Sequence, residues 1–420
     1  MSEQQLMAFY KEFLLEPFAL ELAVMQPCDI GCNYCFANLD GRRHKIAFSD
    51  MAEVLDVLAN FKNGDSVEAQ LLRLKYPVLM SNRVDPFGRR NRLSSIKILE
   101  LFRDLDIRAG FQTKGFVNPE DFDTVMELIE PSWFYISIAF DPAHEFLCRK
   151  IEPGSISIRD RLALIPKLAE RGHLVYVGVN PCVPDWIENP YAFLKQLKDS
   201  GVRGIFCSNL GLTRPQYNLM TATEKANLES LLQEIMGKRQ APQRHVDFLH
   251  YCIDSALELG LTVATGQIGI SNEFWTPAME LYPRLFPLTT EFVNLCYRDM
   301  RQGSRISQSY FVEFIERRTP PGMRGLIGRY IRDSNPTICL KYTEWSDEMS
   351  YKDLAKIIWD NPESTFHPIN YRCFSLLGER EDDTIVEVPD AGGSPIMIFN
   401  PEGMGGKPWG EAPRYYLAEG

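Results

Sequence analysis

The amino-acid sequence predicts an α/β fold, with helices covering a parallel β-sheet over about the first 270 of its 420 residues. Strand-like apolar runs and segments of helical periodicity alternate six times along this part of the chain. The apolar runs are continuous, as is typical of strands buried on both faces of a parallel sheet, and the connections are short. Such a sheet either curls into a full or partial barrel or stays open and doubly wound. Both arrangements place functional side chains at the carboxyl ends of the strands.

The predicted strands are recognised by their apolar runs, and the predicted helices by apolar residues spaced three and four apart. The strands cover residues 20–25, 76–80, 107–113, 133–140, 174–179 and 204–207, with one more at 261–265. The helices cover residues 51–61, 93–105, 118–130, 157–171, 189–200, 221–237 and 246–260. Capping signals support several of these boundaries: Ser49 and Asp50 precede the first helix, Asn118 is followed by proline, and Gly172 and Gly201 end two others.

The regular alternation ends near residue 270, and this divides the chain into regions. We expect an N-terminal segment at 1–18, the α/β core at 19–270 and a C-terminal region at 271–420. Helices of the last region are predicted at 290–300, 308–317 and 350–360, and short strands at 338–342, 384–388 and 395–399. Because this region lacks the repeated strand–helix unit, we interpret it as a substrate-recognition or lid element.

Composition and charge limit the classes of protein to which the chain can belong. Its 45% hydrophobic and 24% charged residues are typical of a globular protein, and no apolar run is long enough to span a membrane. The first residues lack a basic segment followed by an apolar one, so we expect no secretory signal and a cytoplasmic location. The net charge of −11 argues against a broad contact with nucleic acid, although Arg83, Arg89, Arg90 and Arg92 could form a local basic patch.

Three of the ten cysteines lie in one short segment, with the spacing Cys28-x3-Cys32-x2-Cys35, soon after the first predicted strand. A loop has little interior in which to bury three thiols, and thiolates are preferred ligands of zinc and of iron–sulfur clusters. Three ligands without a fourth favour an iron–sulfur cluster with one iron left open for catalysis. A zinc site completed by His44 and a set of buried structural thiols are the alternatives.

Further segments follow the cysteines in an order that resembles a known enzyme superfamily. They are LMSNRVDPF at 79–87, TKG at 113–115, ISI at 136–138, RKIEPG at 149–154 with Arg161, and NPCVP at 180–184. Residues 20 to about 185 therefore resemble the radical S-adenosylmethionine (SAM) superfamily and, within it, the branch of spore photoproduct lyase-like proteins. Phe87-Gly88 and Pro184-Asp185 depart from that branch, which tends to have Tyr-Gln and Pro-Gly at these places.

The resemblance implies a partial (β/α)6 TIM-like barrel of the radical SAM type with an α+β C-terminal extension. It also implies a [4Fe–4S] cluster bound by Cys28, Cys32 and Cys35, whose fourth iron chelates the amino and carboxylate groups of SAM. An enzyme of this kind takes an electron from a reductant such as flavodoxin or ferredoxin. It then splits SAM to a 5′-deoxyadenosyl radical, which abstracts a hydrogen atom from the substrate.

The same resemblance assigns residues at matching positions to the SAM site. Lys114 is the candidate partner of the SAM carboxylate, with a surface charge as its alternative interpretation. The other candidates are Tyr34 and Phe36 beside Cys35, Ser81, Asn82 and Asp85 after the second strand, Ser137 in the fourth strand, and Arg149 with Glu152 in the loop that follows. The structural alternatives are a satisfied polar group of the sheet for the serines, a turn for Asp85 and an ion pair for Arg149 with Glu152.

Three further cysteines, Cys148, Cys182 and Cys207, follow or end the fourth, fifth and sixth predicted strands. A thiol that faces a substrate radical can donate a hydrogen atom, so we consider these residues as candidate catalytic groups. Their alternative interpretation is a small buried apolar side chain. The sequence does not distinguish between a peptide, a small molecule and a nucleic-acid lesion as the substrate. The competing function is a zinc- or iron–sulfur-bearing binding protein without catalysis.

Overall fold

The computed structural model describes most of the chain. The described residues are 7–9, 18, 20–22, 28–37, 39, 51–64, 67–80, 84–237, 241–265, 274–282, 284–285, 289–318, 350–362, 367–371, 373–381, 384–401 and 415–417. The chain divides into two compact units. The first comprises Met1–Ala8, Leu20–Gly266 and Thr276–Arg284, and the second Phe9–Ala19, Gln267–Trp275 and Leu285–Gly420.

The first unit contains, among the described residues, an eight-stranded sheet whose order in space follows the order of the strands in the chain. Its strands are β1 (Met7–Phe9), β2 (Leu20–Leu22), β3 (Val78–Met80), β4 (Ala109–Thr113), β5 (Trp133–Ser137), β6 (Leu174–Val179), β7 (Gly204–Cys207) and β8 (Thr262–Thr265). From β2 to β8 every neighbouring pair is parallel. The parallel α/β sheet predicted from the sequence is confirmed.

The sequential order of the strands also distinguishes between a barrel and a doubly wound sheet, the two arrangements that fit the apolar pattern. A doubly wound sheet reverses its order at a switch point, whereas a barrel-like sheet adds each strand beside the preceding one. The order here is sequential from β1 to β8, as in a partial barrel. The loops that follow β2 to β8 therefore share one edge of the sheet.

Helices connect these strands and cover the sheet. They are Met51–Asn60, Val67–Arg73, Arg92–Leu105, Asp121–Leu128, Glu145–Ile151, Ile158–Glu170, Pro190–Asp199, Arg214–Leu219, Ala222–Asn227, Glu229–Ile235, Gln243–Glu258 and Thr276–Leu281. Side-chain caps fix several starts: Ser157 accepts from the Asp160 N–H at 3.1 Å and Asn189 from the Ala192 N–H at 3.1 Å. The single helix predicted at 221–237 is in fact two helices, with Leu228 between them.

The core lies where apolar strands meet apolar helix faces. Phe134, Ile136, Val175 and Val177 are fully buried in the two central strands, and Ile165 of the helix Ile158–Glu170 is fully buried as well. At the amino ends of the strands, polar groups complete the hydrogen bonding of the buried backbone. The Tyr282 hydroxyl donates to the Ala109 carbonyl at 2.8 Å and accepts from the Trp133 N–H at 2.8 Å.

The second unit has a core and a sheet of its own. Its helices are Thr289–Asp299, Gln308–Arg318 and Tyr351–Trp359, and its strands are β9 (Arg305–Ile306), β10 (Phe374–Glu381), β11 (Thr384–Glu387), β12 (Met397–Phe399) and β13 (Tyr415–Leu417). β10 pairs antiparallel with β11 and β12 and parallel with β13, and β12 pairs antiparallel with β9. Aromatic rings fill its interior, for example Phe292 with Phe311 at 5.0 Å and Phe311 with Trp359 at 5.6 Å between ring centres.

The three helices predicted in this region form, although the strand predicted at 338–342 lies outside the described residues. The long strand β10 was not predicted, because its first half is apolar and its last three residues are exposed and charged or polar. No helix of the described residues is long and apolar enough to cross a membrane.

Candidate active site

The cysteine segment forms a loop that follows the first parallel strand, β2. Gly31 has φ of +68°, a left-handed conformation that favours glycine, and the Cys35 N–H donates to the Cys32 carbonyl at 3.1 Å. Cys32 is buried, Cys28 and Cys35 are partly exposed, and none of the three forms a disulfide. All three cysteines therefore keep a sulfur that can act as a metal ligand once it is deprotonated. We call residues 28–36 the cysteine loop.

Backbone and side-chain contacts from distant parts of the chain hold the cysteine loop. The Asn33 N–H donates to the Ile151 carbonyl at 2.9 Å, and the Gly154 N–H donates to the Ile30 carbonyl at 2.8 Å. A Cβ atom at Gly154 would lie 2.3 Å from the Asp29 carbonyl oxygen, so only glycine permits this approach. The Asn227 amide donates to Asn33 Oδ1 at 2.9 Å and to the Lys150 carbonyl at 3.1 Å.

The pKa values of the thiols reflect burial and the charges around them. Burial raises the pKa of the Cys28 thiol to about 11, with further increases from the charges of Asp85 and Cys35. Burial also raises the pKa of Cys32 well above its usual range; Lys114 opposes this, whereas Glu152 and the other two cysteines add to it. A metal centre among these thiols would supply the positive charge that deprotonates them.

The donor set of the cysteine loop fits an iron–sulfur cluster. Among the described residues, no three side chains of His, Cys, Asp or Glu gather closely enough to hold one metal ion. An iron–sulfur cluster does not require such closeness, because each thiolate binds a different iron. Three thiols within eight residues of one loop meet that requirement. His44, the fourth ligand of the zinc alternative, lies outside the described residues.

Lys114 follows β4 and lies in a hydrogen-bonded group beside the cysteine loop. Its Nζ donates to Glu152 Oε1 at 2.8 Å, to Ser137 Oγ at 3.0 Å and to the Tyr34 hydroxyl at 3.2 Å. The Tyr34 hydroxyl also donates to Glu152 Oε1. The side chain of Lys114 is 12% exposed and that of Glu152 is fully buried. The structure therefore brings together Lys114, Ser137, Tyr34 and Glu152.

A second buried cation, Arg161, completes this group. Its Nη2 lies 2.7 Å from Glu152 Oε2 and donates to Ser155 Oγ at 2.6 Å, and its Nη1 donates to the Ser137 carbonyl at 3.0 Å. Burial alone would raise the pKa of Glu152, but Lys114 and Arg161 outweigh it and lower the pKa to about 2. The carboxylate is ionised at neutral pH and faces two cations, which leaves one positive charge to attract an anion.

Asp85 fixes the backbone that carries Lys114. Its Oδ2 accepts from the Lys114 N–H at 2.7 Å, and its Oδ1 accepts from the Phe87 N–H at 3.0 Å and from Thr113 Oγ1 at 2.8 Å. Burial raises the pKa of this carboxyl, and the hydrogen bonds oppose that rise. Asp85 thus joins the loop after β3 to the end of β4.

Several predicted site residues lie elsewhere or cannot be placed. Phe36 is 51% exposed, and the Arg149 side chain is 73% exposed and pairs with Glu145 at 3.1 Å on the outside of the helix Glu145–Ile151. Ser81 and Asn82 lie outside the described residues.

The three candidate donor cysteines are buried in two different places. Cys148 Sγ lies 3.7 Å from Glu152 Oε2 and 3.4 Å from Arg161 Nη2, at the edge of the charged group. Cys182 Sγ lies 3.6 Å from Cys252 Sγ, and it also hydrogen-bonds to Cys207. Cys182 and Cys207 therefore belong to a separate group of buried thiols.

Other residues at this edge of the sheet carried no predicted role. Trp186 stacks on Phe140 with ring centres 4.2 Å apart, and its ring centre lies 5.7 Å from that of Tyr34. In the sequence, Arg161 could be identified only as part of the segment that begins with RKIEPG at 149–154. Asn227 carries no signal in the sequence, because a single asparagine at the end of a helix is common.

Comparison with known proteins gives similarities of structure only. No protein-family model and no curated protein matches the sequence. Spore photoproduct lyase complexed with dinucleoside spore photoproduct is similar over 61% of this chain and 79% of its own, with 15% sequence identity and a TM-score of 0.43. SuiB of Streptococcus suis bound to S-adenosylmethionine is similar over 63% of this chain and 53% of its own, with 15% identity and a TM-score of 0.36.

Proposed function

We propose that the protein is a radical SAM enzyme that binds a [4Fe–4S] cluster and SAM at the carboxyl edge of its parallel sheet. The observation that carries this proposal is the position of the cations Lys114 and Arg161, joined by the buried Glu152, beside the three cysteines of the cysteine loop. The order of the sequence motifs supports the same assignment. When bound, the cluster supplies the electron that splits SAM into methionine and a 5′-deoxyadenosyl radical, which takes a hydrogen atom from the substrate.

In this proposal the side chains of the site bind the cluster and SAM, orient them and exclude water. Cys28, Cys32 and Cys35 hold the cluster, and Lys114 binds the carboxylate of SAM. Glu152 keeps Lys114 charged, since its ionised carboxylate raises the pKa of that lysine against the effect of burial. Asp85 and Ser137 orient Lys114 through its backbone N–H and its Nζ respectively. The burial of Glu152 and Arg161 keeps water from the back of the site.

The candidate hydrogen-atom donors are ranked by their surroundings. We favour Cys148, because its thiol contacts the charged group that holds Lys114. Cys182 and Cys207 stay candidates, although their thiols contact other cysteines. The remaining elements of the proposal are a reductant such as flavodoxin or ferredoxin, and substrate recognition by residues 271–420.

The proposal is tested by anaerobic reconstitution with iron and sulfide. We expect about four irons per chain, a paramagnetic signal after reduction that changes when SAM is added, and formation of 5′-deoxyadenosine. Cys32→Ala should abolish all three, whereas Cys296→Ala, a buried cysteine of the second unit, should leave them intact. One equivalent of zinc without iron in anaerobically prepared protein would instead support the binding-protein alternative.

The substrate class can be found by following the hydrogen atom. Incubation with a deuterated cell extract should carry deuterium into 5′-deoxyadenosine, and fractionation of the extract then identifies the donor. Hydrogen–deuterium exchange of the full chain with that substrate tests the role given to residues 271–420. Protection confined to the first unit would contradict it.

A further inference from the structure

Two segments of the first unit pack against the cysteine loop and leave cationic side chains exposed beside it. The Arg90 N–H donates to Asp29 Oδ2 at 3.2 Å, and Gly88 approaches the same carboxylate so closely that a Cβ would lie 2.6 Å from Oδ1. This contact places the backbone of residues 88–90 against the loop. The side chains of Arg89 and Arg90 are exposed.

The second segment is the helix Glu145–Ile151, whose last carbonyl accepts the hydrogen bond from Asn33 of the loop. Phe146 on this helix is 77% exposed, and Lys150 Nζ lies 5.6 Å from the centre of its ring. The side chain of Arg149 is 73% exposed. Phe36, in the loop itself, is 51% exposed. Two exposed aromatic rings on segments that pack together offer apolar area to a partner protein.

The charge of this surface is opposite to that of the chain. It carries four cations, Arg89, Arg90, Arg149 and Lys150, and two carboxylates, Asp29 and Glu145, whereas the whole chain has a net charge of −11. In the part of the chain that the structure describes, Arg89, Arg90 and Lys150 form no ion pair, and Arg149 pairs with Glu145. The charges of Arg89, Arg90 and Lys150 are therefore directed to solvent or to a partner.

We propose that Arg89, Arg90, Arg149, Lys150, Phe36 and Phe146, here called the basic patch, dock an acidic electron-carrier protein of the flavodoxin or ferredoxin class. This inference rests on the proposed function, which needs one electron delivered to the cluster held by the cysteine loop. The carrier loses that electron and becomes one-electron oxidised, and the cluster gains it. Exposed aromatic rings serve as the central contacts, and the surrounding cations steer the acidic partner.

Nucleic acid is the competing partner, since cations with exposed rings also suit phosphates and bases. Two observations favour the carrier. The patch has only four cations, few for the many phosphate contacts of a nucleic-acid site. The patch also borders the cysteine loop, where an electron must enter.

The test compares the double charge reversal Arg89→Glu/Arg90→Glu with the matched control Lys62→Glu/Lys97→Glu. Lys62 and Lys97 are exposed and, among the described residues, form no ion pair, so the change of charge is the same. Binding of oxidised flavodoxin is measured by calorimetry at low and high salt. We expect at least about tenfold weaker binding for the first variant at low salt, a difference that shrinks at high salt, and no change for the control.

A kinetic arm separates failure of this inference from failure of the proposed function. The reconstituted proteins are reduced either with dithionite, which needs no docking surface, or with reduced flavodoxin, and the bleaching of the cluster is followed by stopped flow. Equal rates with dithionite and a slower rate with flavodoxin for Arg89→Glu/Arg90→Glu alone support the basic patch.

Equal flavodoxin rates for all three proteins would overturn the inference while leaving the enzyme intact. It would also be overturned if the double reversal abolished binding of a single-stranded oligonucleotide but not of flavodoxin. Absence of any cluster after reconstitution would instead refute the proposed function itself.

Discussion

At the scale of single residues, Glu152 is the group on which two buried cations depend. Replacing it by the isosteric glutamine leaves Lys114 and Arg161 without their shared carboxylate. We expect Glu152→Gln to lower the free energy of unfolding at pH 7 by about 3 kcal/mol, as is typical when one partner of a buried ion pair is removed. Urea denaturation measures this change, and Glu170→Gln, at an exposed position, serves as the control.

The pH dependence of the same variant provides a second measurement. The folded pKa of Glu152, about 2, lies below its value of 4.5 in an unperturbed chain. The wild type therefore holds this contribution fully above pH 4.5 and loses it as the pH falls toward 2. The difference between wild type and Glu152→Gln should shrink over that range. A difference that stays constant down to pH 3 would contradict the assignment.

His173 is a buried histidine just before β6. It makes the stability of the fold depend on pH because the folded state favours its neutral form, whereas for Glu152 the folded state favours the charged form. Its Nδ1 accepts from the Ser132 N–H at 3.0 Å, and burial, with the nearby charge of Arg171, lowers its pKa to about 4 from 6.5. As the pH falls below 6.5, the unfolded chain takes up a proton that the folded chain refuses, so stability is lost until about pH 4.

We expect His173→Asn to reduce this loss by about 2 kcal/mol between pH 7 and pH 4.5, because the asparagine oxygen can accept the same hydrogen bond without titrating. Urea denaturation at the two pH values measures the loss. His250→Asn, at an exposed position, serves as the control. The interpretation fails if both variants titrate like the wild type.

At the scale of elements, the short helix Ala222–Asn227 anchors the cysteine loop from a distance of 194 residues in the chain. Asn227→Ala removes its hydrogen bonds to Asn33 and to the Lys150 carbonyl. Each such bond contributes about 1 kcal/mol, so the loss of both should let the loop open about thirtyfold more often without loss of the fold.

Release of iron from the reconstituted protein to a chelator measures this opening. The rate should rise about thirtyfold for Asn227→Ala, with a thermal midpoint near that of the wild type. Asn218→Ala, an exposed residue of the neighbouring helix Arg214–Leu219, is the matched control. A rise in both variants would attribute the effect to general loosening of this region.

Elements with a continuous apolar run or a clear helical period could be predicted from the sequence. The predicted bounds of β6 and β7 agree with the structure residue for residue. The helix Glu145–Ile151 was not predicted from the sequence, because seven residues form less than two turns, too few to show a period of 3.6. Its absence from the prediction had a consequence for the site. Arg149 was expected in a loop over the cofactor, yet the helix turns its side chain outward to Glu145 while Cys148 and Ile151 are buried.

At the scale of the whole molecule, the candidate site depends on contacts that no local pattern encodes. The cysteine spacing and the position of Lys114 at a strand end are local features, and both could be read from the sequence. The junction of Tyr34, Lys114 and Glu152 depends on strands and helices that meet only in the folded sheet. The same holds for Arg161, whose full burial follows from the packing of the helix Ile158–Glu170 and not from its own sequence.

The two compact units each have a core of their own, and we predict that each unfolds as its own cooperative transition. Ile165→Ala removes a fully buried side chain of the first unit, and Phe292→Ala removes one from the aromatic core of the second. Each should cost about 3 kcal/mol and lower only the transition of its own unit. Scanning calorimetry of the full chain measures both transitions.

Ligand binding assigns the transitions independently of these substitutions. SAM added to the reconstituted protein should raise only the transition that Ile165→Ala lowers, because a ligand stabilises the unit that holds its site. If SAM raised the transition lowered by Phe292→Ala, the site would need residues of the second unit. A single transition that both substitutions lower equally would mean that the two cores unfold as one.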